Sequence, residues 1–292
     1  KDGGHIGLVL PESMVSGRSY RHVVQYITNH TQILACIGLP EVFFKTSGKG
    51  GTHTKVCLLV LRKENNPNPN ENLFMAEAEW CGTDSRGRDI DRNDLPHILA
   101  NYLRFRDGKR YSKNKHPGFV IKQKNLVDFC LAPRYYDPKP NQMLQSLKDT
   151  HDLLRVSDLQ EQGILQIRTG HEVGRMAYGG GDIPFVRTSE ISNWEIKTSH
   201  KHGLSEEIYQ SYKIKQDVQV GDILMVRDGT YLIGACAMIT EDIKKIVYQS
   251  HVYKIRSLDH DKLEPRILLA ALESGVVKAQ IKSKRFTLDI ID

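Results

Sequence analysis

The densest group of side chains able to do chemistry lies in Gly179–Trp194, GGGDIPFVRTSEISNW. Three glycines make a tight turn, and Ile183, Phe185 and Val186 are apolar enough to enter a core. Arg187, Thr188, Ser189, Asn193 and Trp194 then follow as a hydrogen-bonding cluster. An arginine can pair bidentately with guanine and an asparagine with adenine, while hydroxyls serve phosphate or base edges. The same residues also fit a capped turn with its tryptophan packed on the core. A second chemistry overlaps the first. Asp182, Glu195 and Lys197 have the spacing of a nuclease centre, with two acids for magnesium and a lysine for the attacking water.

Other motifs fail on inspection. Ser47–Thr52 (SGKGGT) lacks the hydroxyl residue that a phosphate loop needs directly after Gly-Lys, and Phe43 occupies its earlier glycine position. It reads as a flexible hairpin able to touch a phosphate. His171-Glu172-Val173-Gly174 has no second histidine for a zinc protease motif, and His200-Lys201-His202 offers two ligands without a third. Cys36, Cys57, Cys81, Cys130 and Cys236 are scattered and odd in number. That excludes a disulfide framework and a C-x-x-C zinc site, and fits a reducing cytoplasm. No metal is expected.

The elements that must position these residues fall into two halves. His5–Leu10, Gln32–Gly38 and Thr54–Leu61 are short apolar runs that read as buried strands, the first as a parallel one. Gly17–His30 reads as a helix, Leu73–Trp80 as a strand or edge, and Asp94–Phe105 as a helix capped by Asp94. Glu64–Asn72 is a Pro-interrupted polar loop, and Gln142–Leu154 is helical. The pattern then changes to short strands at Ile164–Ile167, Ile183–Val186, Ile223–Arg227, Ile233–Ile239 and Val252–Ile255. Leu263–Ser274 and Val276–Ile281 read as helices. The first half has the order of the end of a doubly wound α/β sheet, and the second reads as α+β.

Charge divides the chain in the same way. Residues 1–150 hold 22 Lys and Arg against 15 Asp and Glu, whereas residues 151–292 hold 19 against 20. The basic excess is densest at Arg104, Arg106, Lys109, Arg110, Lys113, Lys115, Lys122 and Lys124. Such a run either neutralises phosphates without reading sequence or is a solvated connector. No apolar run is long enough for a membrane span.

Four stretches in order, GGGDIPFVRTSEISNWEI, GDILMVRDGTYLIGACAMI, YQSHVYKIR and ILLAALESGVVKAQI, resemble the target-recognition domain of type I restriction specificity subunits and of methyltransferases fused to one. The resemblance covers about 140 residues. It implies that residues 141–292 read double-stranded DNA. It places Asp182, Gly221, Asp222 and Gly234 in the scaffold. The DNA-contact candidates are Arg187, Thr188, Ser189, Asn193, Lys197, His200, Lys201, His202 and Arg227, mainly in the loop after Trp194.

GGHIGLVLP, LPEVFF, HTKVCLLVLRK, FMAEAEWCGTDSRGRDIDRNDLPHIL and LAPRYYDP resemble the last part of adenine-N6 DNA methyltransferases of the type I modification-subunit kind. That places the end of a catalytic domain in residues 1–140 and makes Phe44, by position, the aromatic that stacks on a flipped adenine. Phe43 reads as sheet packing. The glycine-rich S-adenosylmethionine turn and the (Asn/Asp)-Pro-Pro-aromatic loop of that family are absent, and Asn66–Asn70 (NPNPN) does not replace them. The resemblance implies that both lie upstream of Lys1 in a longer parent. This chain is then expected to contain no catalytic residues and to bind no cofactor alone, with other restriction–modification subunits as partners. A protein-interaction module is a third reading.

Overall fold

The computed structural model describes residues 2–44, 54–109, 117–198, 200–228 and 232–284, with the side chains of Arg18 and His200 left aside. The SGKGGT stretch and Arg110, Lys113 and Lys115 of the basic run lie outside the described residues. The chain forms two compact units, Lys1–Lys139 together with the described residues 282–284, and Pro140–Ile281.

The first unit is built on a mixed five-stranded sheet. Its strands are β1 (His5–Pro11), β2 (Thr31–Leu39), β3 (Val56–Lys63), β4 (Asn72–Glu77) and, after the small hairpin β5 (Cys81–Thr83) and β6 (Asp89–Asn93), β7 (Phe119–Lys122), in the order β1-β3-β2-β4-β7. The β2–β4 pair is parallel and the other neighbours are antiparallel. The apolar runs fix this arrangement, because β2 and β4 carry hydrophobic side chains towards both faces and both faces are covered. On one side α1 (Glu12–Ser16) and α2 (Arg21–His30) bring Val15, Val24 and Ile27 onto Ile33, Cys36, Leu59 and Met75. On the other, α3 (Leu95–Arg106) places Ile98, Tyr102 and Phe105 against Ala35, Ile37 and Phe74.

Two expectations change here. β1 is an antiparallel edge strand, not a buried parallel one, and Ile6 and Val9 are each 44% exposed. Its apolar composition is that of a buried strand, but only β3 pairs with it among the described residues. Asp94 precedes α3 without capping it. Its carboxylate accepts instead from the Glu79 and Trp80 amides at 2.8 and 2.9 Å, while Asn93 Oδ1 accepts from Leu95 N.

After α4 (Lys139–Leu147) and α5 (Val156–Glu161), the second unit is built on an antiparallel sheet. It orders β13 (Cys236–Met238), β12 (Ile223–Val226), β15 (Val252–Ser257) and β8 (Leu165–Thr169). α7 (Pro265–Leu272) seats Leu268, Leu269 and Leu272 on Leu165, Ile223 and Ile255 of that sheet, and α8 (Gly275–Lys284) follows. β9 (Phe185–Val186) and β14 (Val247–Tyr248) form a separate parallel pair, and β10 (Ile191–Ser192) and β11 (Glu195–Ile196) form a hairpin. α6 (Glu206–Gln216) packs Ile208, Tyr209 and Tyr212 against Phe185 and Val247.

The C-terminus of α6 is held by buried charge. Lys254, 1% exposed, donates to the Gln216 and Asp217 carbonyls at 2.6 Å each. Arg256 pairs with both Asp217 and Asp222. Burial lowers the Lys254 pKa, since the charged form is desolvated there, whereas the hydrogen bonds that Arg256 donates to Asp222 and Asp217 raise its own. Asp222 and Gly221, the latter at φ +91°, serve this scaffold.

Candidate nucleic-acid interface

In the first unit the functional candidates lie at one end of the sheet. β1 ends at Pro11 and leads into Glu12, β2 ends at Leu39 and leads through Pro40 into the turn Glu41–Phe44, and β4 ends at Glu77. Because β1, β2 and β4 point the same way, these ends share an edge. Phe43 and Phe44 meet edge to face at 5.0 Å, and both are half-buried against the cluster of Ile37, Leu39 and Val56. Phe44 thus stands at the mouth of the strand ends with part of its surface open.

Four charged side chains from distant parts of the sequence converge at the same end. Glu12, 1% exposed, pairs with Arg134 and lies 3.7 Å from Lys55, which also pairs with Glu77. Glu12 Oε2 and Glu77 Oε2 are buried and lack hydrogen-bond partners. Gly38 makes room for Glu77, whose carboxylate oxygen would lie 2.1 Å from a β-carbon at that position. Nothing in the local sequence signals this group, because its members are separated by 22 to 122 residues.

Burial raises the Glu12 pKa from 4.5 to about 7, against the pull of Lys55 and Arg134 and helped by Glu77. A carboxyl whose folded pKa is raised stabilises the fold fully below its unfolded pKa, and that contribution is lost as pH rises through the folded value. Stability should therefore decline between about pH 4.5 and 7, by on the order of 3 kcal/mol from this group. In Glu12→Gln that component should vanish. Urea unfolding of both proteins across the interval measures it, and parallel curves would show that Glu12 does not titrate there.

In the second unit, Gly179–Gly181 lets two segments touch, since a β-carbon on Gly181 would lie 2.5 Å from the Leu204 carbonyl oxygen. The chain then enters β9. The carboxyl ends of the parallel strands β9 and β14 deliver Arg187 and Gln249 side by side, with Gln249 N donating to Val186 O at 2.9 Å. Arg187 Nη2 donates to Glu190 at 3.1 Å and Ser189 Oγ at 3.3 Å, and Glu190 accepts the Arg187 amide at 3.0 Å. Arg187, Thr188 and Ser189 share a cavity of about 460 Å³ with Glu172, Arg175, Tyr178 and Gln249.

The remaining candidates are dispersed. Asn193 and Trp194, at φ 51° and 68°, form the tip of the β10–β11 hairpin. Two consecutive left-handed residues match the twist of a tight hairpin, although for a tryptophan that backbone is strained. Trp194 is 54% exposed and donates Nε1 to Glu273 at 3.0 Å, so it is not a core residue. Lys197 and Lys201 are exposed. His202 is half-buried, its ring edge to face with that of Tyr178 at a centroid separation of 5.4 Å. Arg227 pairs with Asp228 at 2.5 Å, Asp228 bonds His251, and His251 lies 3.8 Å from Glu172 at the cavity wall. Among the described residues no three His, Cys, Asp or Glu side chains could hold a metal.

The described residues at these strand ends do not fit S-adenosylmethionine. β1, β2 and β4 are followed there by Glu-Ser, Pro-Glu-Val and Ala-Glu-Trp, with no glycine-rich cradle among the described residues, and the buried acids are committed to Lys55 and Arg134. No described helix is long and apolar enough to cross a membrane.

Residues 1–138, just under half of the chain, match the family model described as N-6 DNA Methylase. No curated protein matches the sequence. Among solved structures the chain is similar to the type IIG restriction endonuclease BpuSI, at 9% identity and a TM-score of 0.40, over 100% of this chain and 39% of that one. It is also similar to a chain of a type I restriction–modification system (13%, TM-score 0.34, 56% of this chain and 37% of that one). A third similarity is to the type I restriction-modification system methyltransferase subunit from Streptococcus thermophilus (16%, TM-score 0.31, 45% and 26%). The chain spans less than two-fifths of the length of each of these structures.

Proposed function

We propose that this chain is part of a restriction–modification adenine-N6 DNA methyltransferase that uses S-adenosylmethionine, and that its second unit reads the DNA sequence. The match of residues 1–138 to the N-6 DNA Methylase model carries this reading. The edge of β1 supports it, since among the described residues its outer backbone is unpaired, and this with exposed Ile6 and Val9 suits a further strand of a longer sheet. In that arrangement the first unit, residues 1–140, completes a doubly wound catalytic sheet, and Phe44 stacks on the extruded adenine. Residues 141–292 are the target-recognition domain, with other restriction–modification subunits as further partners. Ser189, Asn193, Lys197, Lys201 and Arg227 supply exposed polar and cationic groups for DNA, with half-buried Arg187 beside them. Thr188, which is buried, supports the turn that carries Ser189.

Fluorescence anisotropy with a labelled duplex tests the reading. Binding should weaken steeply with salt. Lys197→Ala combined with Lys201→Ala should lower affinity and flatten the salt slope by about one per lost phosphate contact. Phe44→Ala should leave duplex affinity nearly unchanged. Absence of duplex binding at low salt would instead favour a protein-interaction module.

A further inference from the structure

The cavity at the carboxyl ends of β9 and β14 has a chemistry distinct from a phosphate clamp. Its volume of about 460 Å³ falls within the roughly 300–1,000 Å³ of small-molecule sites. Arg187 lines it, and with Nη2 given to Glu190 and Ser189 its guanidinium still carries further N–H groups able to donate. Glu172, which already accepts from Ser250 and from the Gln249 amide, supplies a carboxylate on the same wall, Gln249 its side-chain carbonyl, and Ser189 an exposed hydroxyl. Tyr178 contributes an aromatic ring, already tilted against Phe185 at 5.6 Å.

Charge balance decides the ligand class. Arg175 makes no ion pair among the described residues, but Arg187 is paired with Glu190, and Glu172 faces the same space. A phosphate would meet two carboxylates beside the two arginines. A neutral ring with acceptors on one edge and amino donors on another would meet a complement for each. We propose that this cavity binds a nucleobase, with Arg187 donating to its ring nitrogen or carbonyl acceptors and Glu172 and Gln249 accepting from its amino groups. Such a base comes either from a nucleotide displaced out of duplex DNA or from a free nucleoside. The duplex source rests on the DNA-reading role proposed above, and the free source does not. Fully exposed Met176, next to Arg175 in the chain, is an apolar side chain that would be available to enter the stack a displaced base leaves.

The test uses the 292-residue chain and two kinds of probe. Anisotropy compares a perfect duplex with the same duplex carrying one unpaired nucleotide, each of the four bases in turn. Saturation-transfer NMR examines the four free nucleosides. Ser189→Tyr fills the cavity mouth from an exposed position, and Gln249→Ala removes one wall group. Lys213→Ala, on the exposed side of α6, is the control. We expect at least one unpaired base to tighten binding about tenfold, Ser189→Tyr and Gln249→Ala each to abolish that gain, and Gln249→Ala to leave perfect-duplex affinity within twofold. Nucleoside signals that Ser189→Tyr removes, without any duplex binding, would uphold the cavity and count against the DNA-reading role. Duplex binding that is indifferent to unpaired bases and to Gln249→Ala, with no nucleoside signal, would overturn the cavity and leave the DNA-reading role standing. Absence of every signal would overturn both.

Discussion

Asp222→Ala is expected to cost about 3–5 kcal/mol of unfolding free energy, the range for removing one member of a buried charge network. Asp222 is 1% exposed. Its Oδ1 accepts from Arg256 Nε at 2.6 Å, and its Oδ2 accepts from Arg256 Nη2 at 2.8 Å and from the Gln219 amide at 2.8 Å. Lys254 Nζ is 3.7 Å away. Alanine would leave the Lys254 ammonium buried with only two carbonyls and Arg256 with only Asp217. The turn ahead of β12 would also lose the carboxylate that closes it. Asp222→Asn keeps the shape and should cost clearly less. Urea denaturation should show a lower midpoint with an unchanged slope. A loss below about 1 kcal/mol would mean that the two cations find water in the variant.

Gly170→Ala carries the second large effect, and its cause is space. A β-carbon on Gly170 would lie 2.2 Å from Gln249 O and 2.3 Å from Tyr248 O, both backbone atoms that no rotamer change can move. Gly170 N also donates to Val252 O at 3.1 Å, and His171 N to Tyr248 O at 3.1 Å, so the segments are tied where they would have to part. Overpacking of this kind costs about 1–3 kcal/mol or more. Separation of the segments would also displace Gln249 from the cavity wall, and any selectivity for unpaired bases should fall with stability. Gly174→Ala is the matched control. Nothing lies within 4 Å of a β-carbon there and its φ is −56°, so the change should be nearly neutral. Equal effects at the two positions would show that chain flexibility, and not contact, sets the cost.

The sequence displays those parts of this fold whose cause is local. β2, β3 and β4 are legible as apolar runs because burial on both faces demands them. The pairing direction of β1 is not, since the same run suits a buried parallel strand or an exposed antiparallel edge. α6 escapes an apolar-period search because only Ile208, Tyr209, Tyr212 and Ile214 are apolar in it. Its termini carry the signal instead. Ser205 Oγ accepts from Ile208 N, Glu206 and Glu207 open the helix, and Lys213 and Lys215 close it. The site divides in the same way. Arg187, Thr188 and Ser189 are adjacent in sequence and come together in space. Glu172, Arg175 and Gln249 complete their cavity through the β9–β14 pairing, which no short motif encodes. The Glu12–Lys55–Glu77–Arg134 group is the extreme case, because a mixed sheet alone brings it together.

The most direct test of the DNA-reading role is selection from a random pool of duplexes by this chain at near-physiological salt, followed by sequencing of the bound fraction. The account predicts enrichment of one defined asymmetric site, lost on Arg187→Ala combined with Asn193→Ala. A bound pool indistinguishable from the input, with duplexes retained only at low salt, would contradict it, because such binding reads phosphate charge alone.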